Sequence, residues 1–129
     1  FIDKEVRESA ADIGKAVPAG EGQIRLAEGT FANADDFHKG KGTVRLMSAG
    51  GKDFIRFEDD FEVTNGPDLF VYFGTGGAYA NEARIGVLKG NKGGQNYEVP
   101  EGIDAGKYDE IWIWCRAFSV PFARAALVR

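Results

Sequence analysis

From Gln23 onward, apolar and polar side chains alternate every second residue, the pattern of strands with one buried face. "QIRLAEG" alternates at Ile24 and Leu26, and "TVRLMS" at Val44 and Leu46. "DFIRFED" sets Phe54 and Arg56 on one face and Ile55 and Phe57 on the other. Between the second and third of these runs, Gly50-Gly51 is a two-residue hairpin signal, because such turns demand positive φ. Asn65-Gly66-Pro67 marks another turn, and the "LFVYFG" that follows is apolar on both faces, as a central strand would be. Further strands are expected at "RIGVLKG", "NYEV", "EIWIWCRAF" and "PFARAALV". About nine short strands joined by glycine-rich turns predict an all-β fold, an antiparallel β-sandwich or flattened barrel.

The first residues break this period. "FIDKEVRESAADI" carries Ile2, Val6 and Ile13 with Asp3 four residues before Arg7, a weak amphipathic pattern that predicts a short N-terminal helix over residues 1–13, closed by Gly14. "AVPAGEG" gathers Pro18, Gly20 and Gly22 into a turn or linker. The expected division is therefore a helix and linker over residues 1–22 and a β domain over residues 23–129. Composition agrees with strands: 18 glycines and 10 phenylalanines stand against 1 methionine. A net charge of −4, with 16 basic residues scattered singly, leaves no electrostatic footprint for a polyanion, so nucleic acid is not an expected partner. No run of 18 apolar residues exists, which predicts no transmembrane segment. Because residue 1 is Phe1, the chain is expected to be processed or cut from a longer precursor.

Chemistry enters with "IWIWCRAFSVPF", which holds the only cysteine. In an extended strand Ile111, Ile113, Cys115, Ala117 and Ser119 point one way, and Trp112, Trp114, Arg116 and Phe118 the other. The odd face shrinks towards its C-terminal end, so either an opposing sheet fills the space above Cys115 and Ala117 or a pocket lies there. A reactive thiolate needs nearby positive charge, and Arg116 projects to the wrong face. Cys115 thus reads in two ways: as a small buried hydrophobe, or as a thiol activated by a metal or haem iron.

The sole histidine lies in "GTFANADDFHKGKGT". His38 is a candidate metal ligand, with Asp35 or Asp36 beside it or orienting it; the alternative is that these residues fix the loop by hydrogen bonding. Two Cys and His residues in total cannot supply a four-ligand structural zinc site. No serine nucleophile elbow is present, and a Cys-His pair lacks a diagnostic surrounding motif. "GTGGAYANEAR" has the glycines of a phosphate loop without its Lys-Ser/Thr pair, and reads as a flexible hairpin that could form a lip over a pocket. "LKGNKGGQNYEVPEG" reads as a turn-rich connection rather than a binding site, and Trp112, Trp114 and Phe118 as an aromatic stripe with burial its usual outcome.

"GTFANADDFHKGKGTVRL", "FEVTNGPDLFVYF", "LKGNKGGQNYEVP" and "YDEIWIWCRAFSVPFARAAL" occur in that order, and together they resemble the DM-thirteen domain, also labelled electron-transfer DM-thirteen. The resemblance spans about Gln23 to Leu127, and its most specific string is Trp-Cys-x-x-Phe-x-Val-x-Phe. It implies an all-β, extracytoplasmic domain of secreted, periplasmic or membrane-anchored proteins, in animals found beside DOMON and b-type cytochrome modules, with redox or envelope proteins as partners. The implied role is electron transfer. The family's cysteine corresponds to Cys115, as a redox thiol or as the ligand of a prosthetic group such as haem. Its loop histidine and glycines correspond to His38, Gly40 and Gly42, and its Gly-Pro-Asp turn to Gly66, Pro67 and Asp68. Cys115 and His38 are therefore the principal site candidates, supported by Asp35, Asp36, Asp68, Trp114 and Phe118. Members often carry Asn and Gly around the last phenylalanine, where this chain has Pro121 and Ala123. That departure bears on the strand edge rather than on the cysteine. The alternative function is a non-catalytic extracellular binding or adhesion module with a structural buried cysteine.

Overall fold

Turn chemistry decides where each alternating run stops. In the computed structural model, which describes residues 1–16 and 22–129, the strands are β1 (Gln23–Asn33), β2 (Gly40–Lys41), β3 (Thr43–Ala49), β4 (Lys52–Phe57) and β5 (Glu62–Val63), followed by β6 (Leu69–Thr75), β7 (Ala78–Val87), β8 (Gln95–Glu98), β9 (Glu110–Cys115) and β10 (Val120–Ala126). The β3–β4 turn is Gly50-Gly51, both with positive φ, as their spacing predicts. Eight strands form one curled antiparallel sheet in the order β7-β6-β9-β10-β1-β3-β4-β8, and β2 pairs with β5 beside it. The loop from β7 to β8 joins the two edge strands, so the curl brings the sheet's ends to either side of one short connection.

The concave face is the core. Val44 and Leu46 of β3, Ile55 and Phe57 of β4, Val71 and Phe73 of β6, and Ile111 and Ile113 of β9 are all sealed from solvent. Each such side chain contributes about 1.5–3 kcal/mol by leaving water. Phe31, Phe61 and Tyr97 close around Phe57 with ring centroids 4.6–5.3 Å away. β6 is a central strand buried on both faces, as its uninterrupted apolar run predicts. Its outer residues Phe70 and Tyr72 lie with Trp112 in a second cluster, covered by Tyr79 and Trp114.

Three expectations need correction. The N-terminal helix is a 3-10 helix over Ala10–Ala16, not a helix over 1–13. The Asp12 carboxylate accepts from the Ser9 amide, and Ile13 plugs against Ala49 and Phe54. Residues before it stay extended because their backbone pairs elsewhere: the Val6 amide donates to the Lys92 carbonyl at 2.9 Å. In β1, Ile24 and Leu26 face outward, Ile24 being 65% exposed, because a bulge between Arg25 and Ala27 turns Ala27 and Phe31 to the core instead. β9 ends at Cys115 rather than continuing to Phe118, because Val120 already pairs back with Cys115 and Arg116 to Ser119 make the reversal. The turn or linker expected at "AVPAGEG" falls chiefly on residues 17–21, outside the described residues.

Candidate functional site

Cys115 is the last residue of β9, between Leu69 of β6 and Val120 of β10 in register. Its side chain is 0% exposed and belongs to the main core. The sulfur donates to the Pro67 carbonyl at 3.1 Å, so its polar atom is satisfied by the turn that leads into β6. Two left-handed residues flank this corner, Asp68 with φ 63° and Ser119 with φ 52°. Neither is glycine, and each carries a small backbone penalty that the packing around it offsets. Arg116 fastens the two turns together: its amide donates to the Asp68 carbonyl at 3.1 Å and its guanidinium pairs with the Asp68 carboxylate at 3.2 Å. The same guanidinium lies 4.5 Å over the Phe70 ring.

Ala117 and Ser119, expected to line the cysteine's face, sit in the exposed reversal instead. The question of pocket or packing above Cys115 is answered by packing. Phe118 stands 65% exposed on the hairpin tip, and Trp114 stacks on Tyr79 at 4.0 Å on the opposite face of the strand from the sulfur.

His38 has different partners. Asp35 Oδ1 accepts from the amides of Phe37 and His38, both at 2.8 Å, closing an Asx-type turn, and Asp35 Oδ2 meets His38 Nδ1 at 2.7 Å. The hydrogen bond from His38 holds the Asp35 carboxyl below its ordinary pKa, its backbone donors adding to the effect. Asp36 is exposed on the same loop. The imidazole packs on Phe122 with ring centroids 4.1 Å apart. Phe122 is in turn pressed against Gly66, where a Cβ would fall 2.8 Å from the ring. The Cys115 corner and the His38 loop therefore meet only through intermediates: sulfur to Pro67, neighbouring Gly66 to Phe122, and Phe122 to imidazole. Thiol and imidazole do not share a hydrogen bond.

Pro121 and Ala123 mark a bulge in β10, with Pro121 opposite Trp114 and Ala123 opposite Ile113. A Cβ on Gly40 would fall 2.5 Å from the Ala123 methyl, so the extra carbon at 123 is accommodated by the absence of one at 40.

These residues do not fit a haem. A ligating thiolate must face a cavity wide enough for the macrocycle, whereas the Cys115 sulfur faces the Pro67 carbonyl within packed hydrocarbon. The cleft nearest the histidine loop is lined by Asn33, Lys39, Glu62, Thr64 and Asn65 and contains neither Cys115 nor His38. Among the described residues, no three His, Cys, Asp or Glu side chains come together as a metal cluster.

A feature that sequence reading passed over is a buried polar pair, Asn91 in the β7–β8 connection and Arg56 of β4 beside it. Arg56 and Asn91 are 3% and 1% exposed, and both reach the N-terminal segment. The signal was present as Arg56 between the apolar Phe54, Ile55 and Phe57, and as Asn91 among Gly90, Gly93 and Gly94.

In comparison with known proteins, the model of the family described as Electron transfer DM13 matches residues 30–127. No curated protein and no solved structure matches the chain.

Proposed function

Because this chain belongs to the Electron transfer DM13 family, we propose that it is an extracytoplasmic module associated with electron transfer, with Cys115 as a guarded redox thiol. The observation that carries this reading is the position of the sulfur directly beneath the Gly66–Asp68 turn, hydrogen-bonded to that turn's own carbonyl. Opening one turn, rather than the whole sheet, would bring the thiol to solvent, and turns held by polar surface contacts open at lower free energy than central strands. Once exposed and deprotonated, the sulfur attacks a disulfide of an extracytoplasmic partner protein. A Cys115–partner disulfide forms, the partner's second sulfur leaves as a thiolate, and the thiol proton goes to solvent. With one cysteine in the chain, the sulfur that later resolves this bond comes from the partner.

Thiol labelling at pH 8, followed by mass spectrometry, tests the guarded thiol. Labelling of folded protein is expected to be slow, yet faster than global unfolding, and to accelerate when Arg116→Ala frees the turn. Modification that appears only on unfolding would remove the redox thiol.

The complete burial of the sulfur favours a second reading, a non-catalytic extracellular binding or adhesion module in which Cys115 is a core residue. Under that reading Cys115→Ala lowers stability and leaves the capture of envelope components unchanged.

A further inference from the structure

Residues 2–9 lie outside the family match, yet groups inside it read their backbone and side chains one after another. The segment runs parallel to the β7–β8 connection as an added strand: the Val6 amide donates to the Lys92 carbonyl and the Glu8 amide to the Gly94 carbonyl, both at 2.9 Å. Asn65 donates to the Ile2 carbonyl at 2.6 Å. Buried Asn91 accepts from the Lys4 amide at 2.6 Å and donates to Asp3 at 2.9 Å. Buried Arg56 donates to the Glu8 carbonyl at 2.7 Å, and the Asn96 amide to the Glu8 carboxylate at 2.9 Å. Two lysines supply matching charge, Lys89 at 2.8 Å from Glu8 and Lys92 at 3.7 Å from Asp3.

The floor is shaped for a backbone. A Cβ at Gly90 would fall 2.5 Å from the Lys4 carbonyl oxygen, one at Gly94 2.6 Å from that of Glu8, and one at Gly93 would collide with that of Val6. The occupant, by contrast, brings little hydrocarbon: Ile2 is exposed, and Val6 is only half-buried. Specific polar recognition without an apolar anchor describes a docked peptide better than a core strand.

We propose that Arg56 and the Lys89–Asn96 connection form a recognition groove for an extended acidic peptide, and that residues 2–9 are its ligand in cis. The chemistry read is two carboxylates five residues apart on an extended chain, about 17 Å, set against two lysines and a row of backbone acceptors and donors. The groove is independent of Cys115, so the fate of the thiol reading does not touch it.

The probe is a fluorescent peptide with the sequence of residues 1–12. In the intact chain the tethered segment competes at an effective concentration of about millimolar, so the peptide binds weakly. The full-length variant Asp3→Lys/Glu8→Lys, which weakens the cis ligand and leaves the groove intact, is expected to bind it at least tenfold more tightly. Adding Asn91→Ala should abolish that gain. A folded double variant that gains no affinity overturns the proposal. Should the double variant fail to fold, hydrogen exchange on the unmodified chain decides. The Val6 and Glu8 amides are expected to exchange together and at least a hundredfold faster than the Ile113 amide. Exchange of all three in one global event would make the segment part of the core and overturn the groove.

Discussion

The Cys115 corner and the N-terminal groove both satisfy a buried polar group through a backbone carbonyl, but they are held by opposite means. The thiol makes one polar contact, to Pro67, inside the main hydrophobic core, with Leu69 of β6 and Val120 of β10 as its cross-strand neighbours. The groove makes many polar contacts, and its occupant brings little hydrocarbon to it, since Val6 is the one apolar side chain of residues 2–9 that is even half-buried. Breaking the first exposes core and costs in proportion to apolar area. Breaking the second exchanges protein hydrogen bonds for water, and each returns only about 0.5–1.5 kcal/mol net. One chain thus carries a deep site that is chemically simple and a shallow site that is chemically specific.

The largest blow to the deep site is Phe122→Ala. Its ring is buried and bridges Gly66 on one side and His38 on the other. Truncation is expected to cost about 3–5 kcal/mol, read by denaturant unfolding, and to raise the rate of Cys115 labelling. Protection of the Val6 and Glu8 amides against exchange, set by local undocking of the segment, should be unchanged relative to the unmodified chain. If the thiol rate does not rise, Phe122 does not seal the corner.

The shallow site is broken separately by Gly93→Ala. Gly93 has φ 91°, and a methyl there collides with the Val6 carbonyl. Strain and overpacking together are expected to cost about 1–3 kcal/mol, seen as lost protection at Val6 and Glu8 with the labelling rate of Cys115 unchanged. A parallel rise in thiol labelling would mean that the two regions open as one unit and that the contrast between them fails.

The two regions were unequally legible in the sequence. Period-two alternation marked most of the sheet, because one face of each strand is paid out to the core and the side-chain period enforces it; Val44 and Leu46, or Ile55 and Phe57, could hardly face water. It misled at Ile24 and Leu26, where a one-residue bulge reverses the faces, and nothing in side-chain pattern announces a bulge. The end of β9 at Cys115 was hidden for a related reason: Arg116 to Ser119 contain no glycine or proline, and the reversal rests on Ser119 adopting a left-handed conformation that its type rarely signals. Cys115 and His38 were recognisable as candidates from residue type and family motif. Their separate surroundings were not, because Pro67, Gly66 and Phe122 come between them only through strand register. The groove was least visible. Residues 2–9 carry apolar spacing that suits a weak helix, but a short isolated helix is marginal, and the parallel pairing with Lys92 and Gly94 outweighs it.

Acid gives the finest separation of the two sites. Burial works to raise the Glu8 pKa, but hydrogen bonds from Lys89 and from the Asn96 amide outweigh it and hold the carboxyl below its ordinary value. A carboxylate depressed in the folded state stabilises that state fully above its unfolded pKa, and the contribution is lost as pH falls through the folded one. With an ordinary carboxyl value near 4.5, the docked segment should therefore begin to loosen below that pH. Comparison of hydrogen exchange at pH 6 and at about pH 3.5, corrected for intrinsic rates, is expected to show a few-fold loss of protection at Val6 and Glu8 relative to Ile113. The carboxyl is partly exposed, which is why the effect is small. Glu8→Gln keeps the shape and removes the titration, so its segment should be looser at pH 6 and nearly indifferent to acid. An unmodified chain whose Val6 and Ile113 amides keep the same ratio at both pH values would show that Glu8 does not govern docking, and that backbone pairing alone holds the segment down.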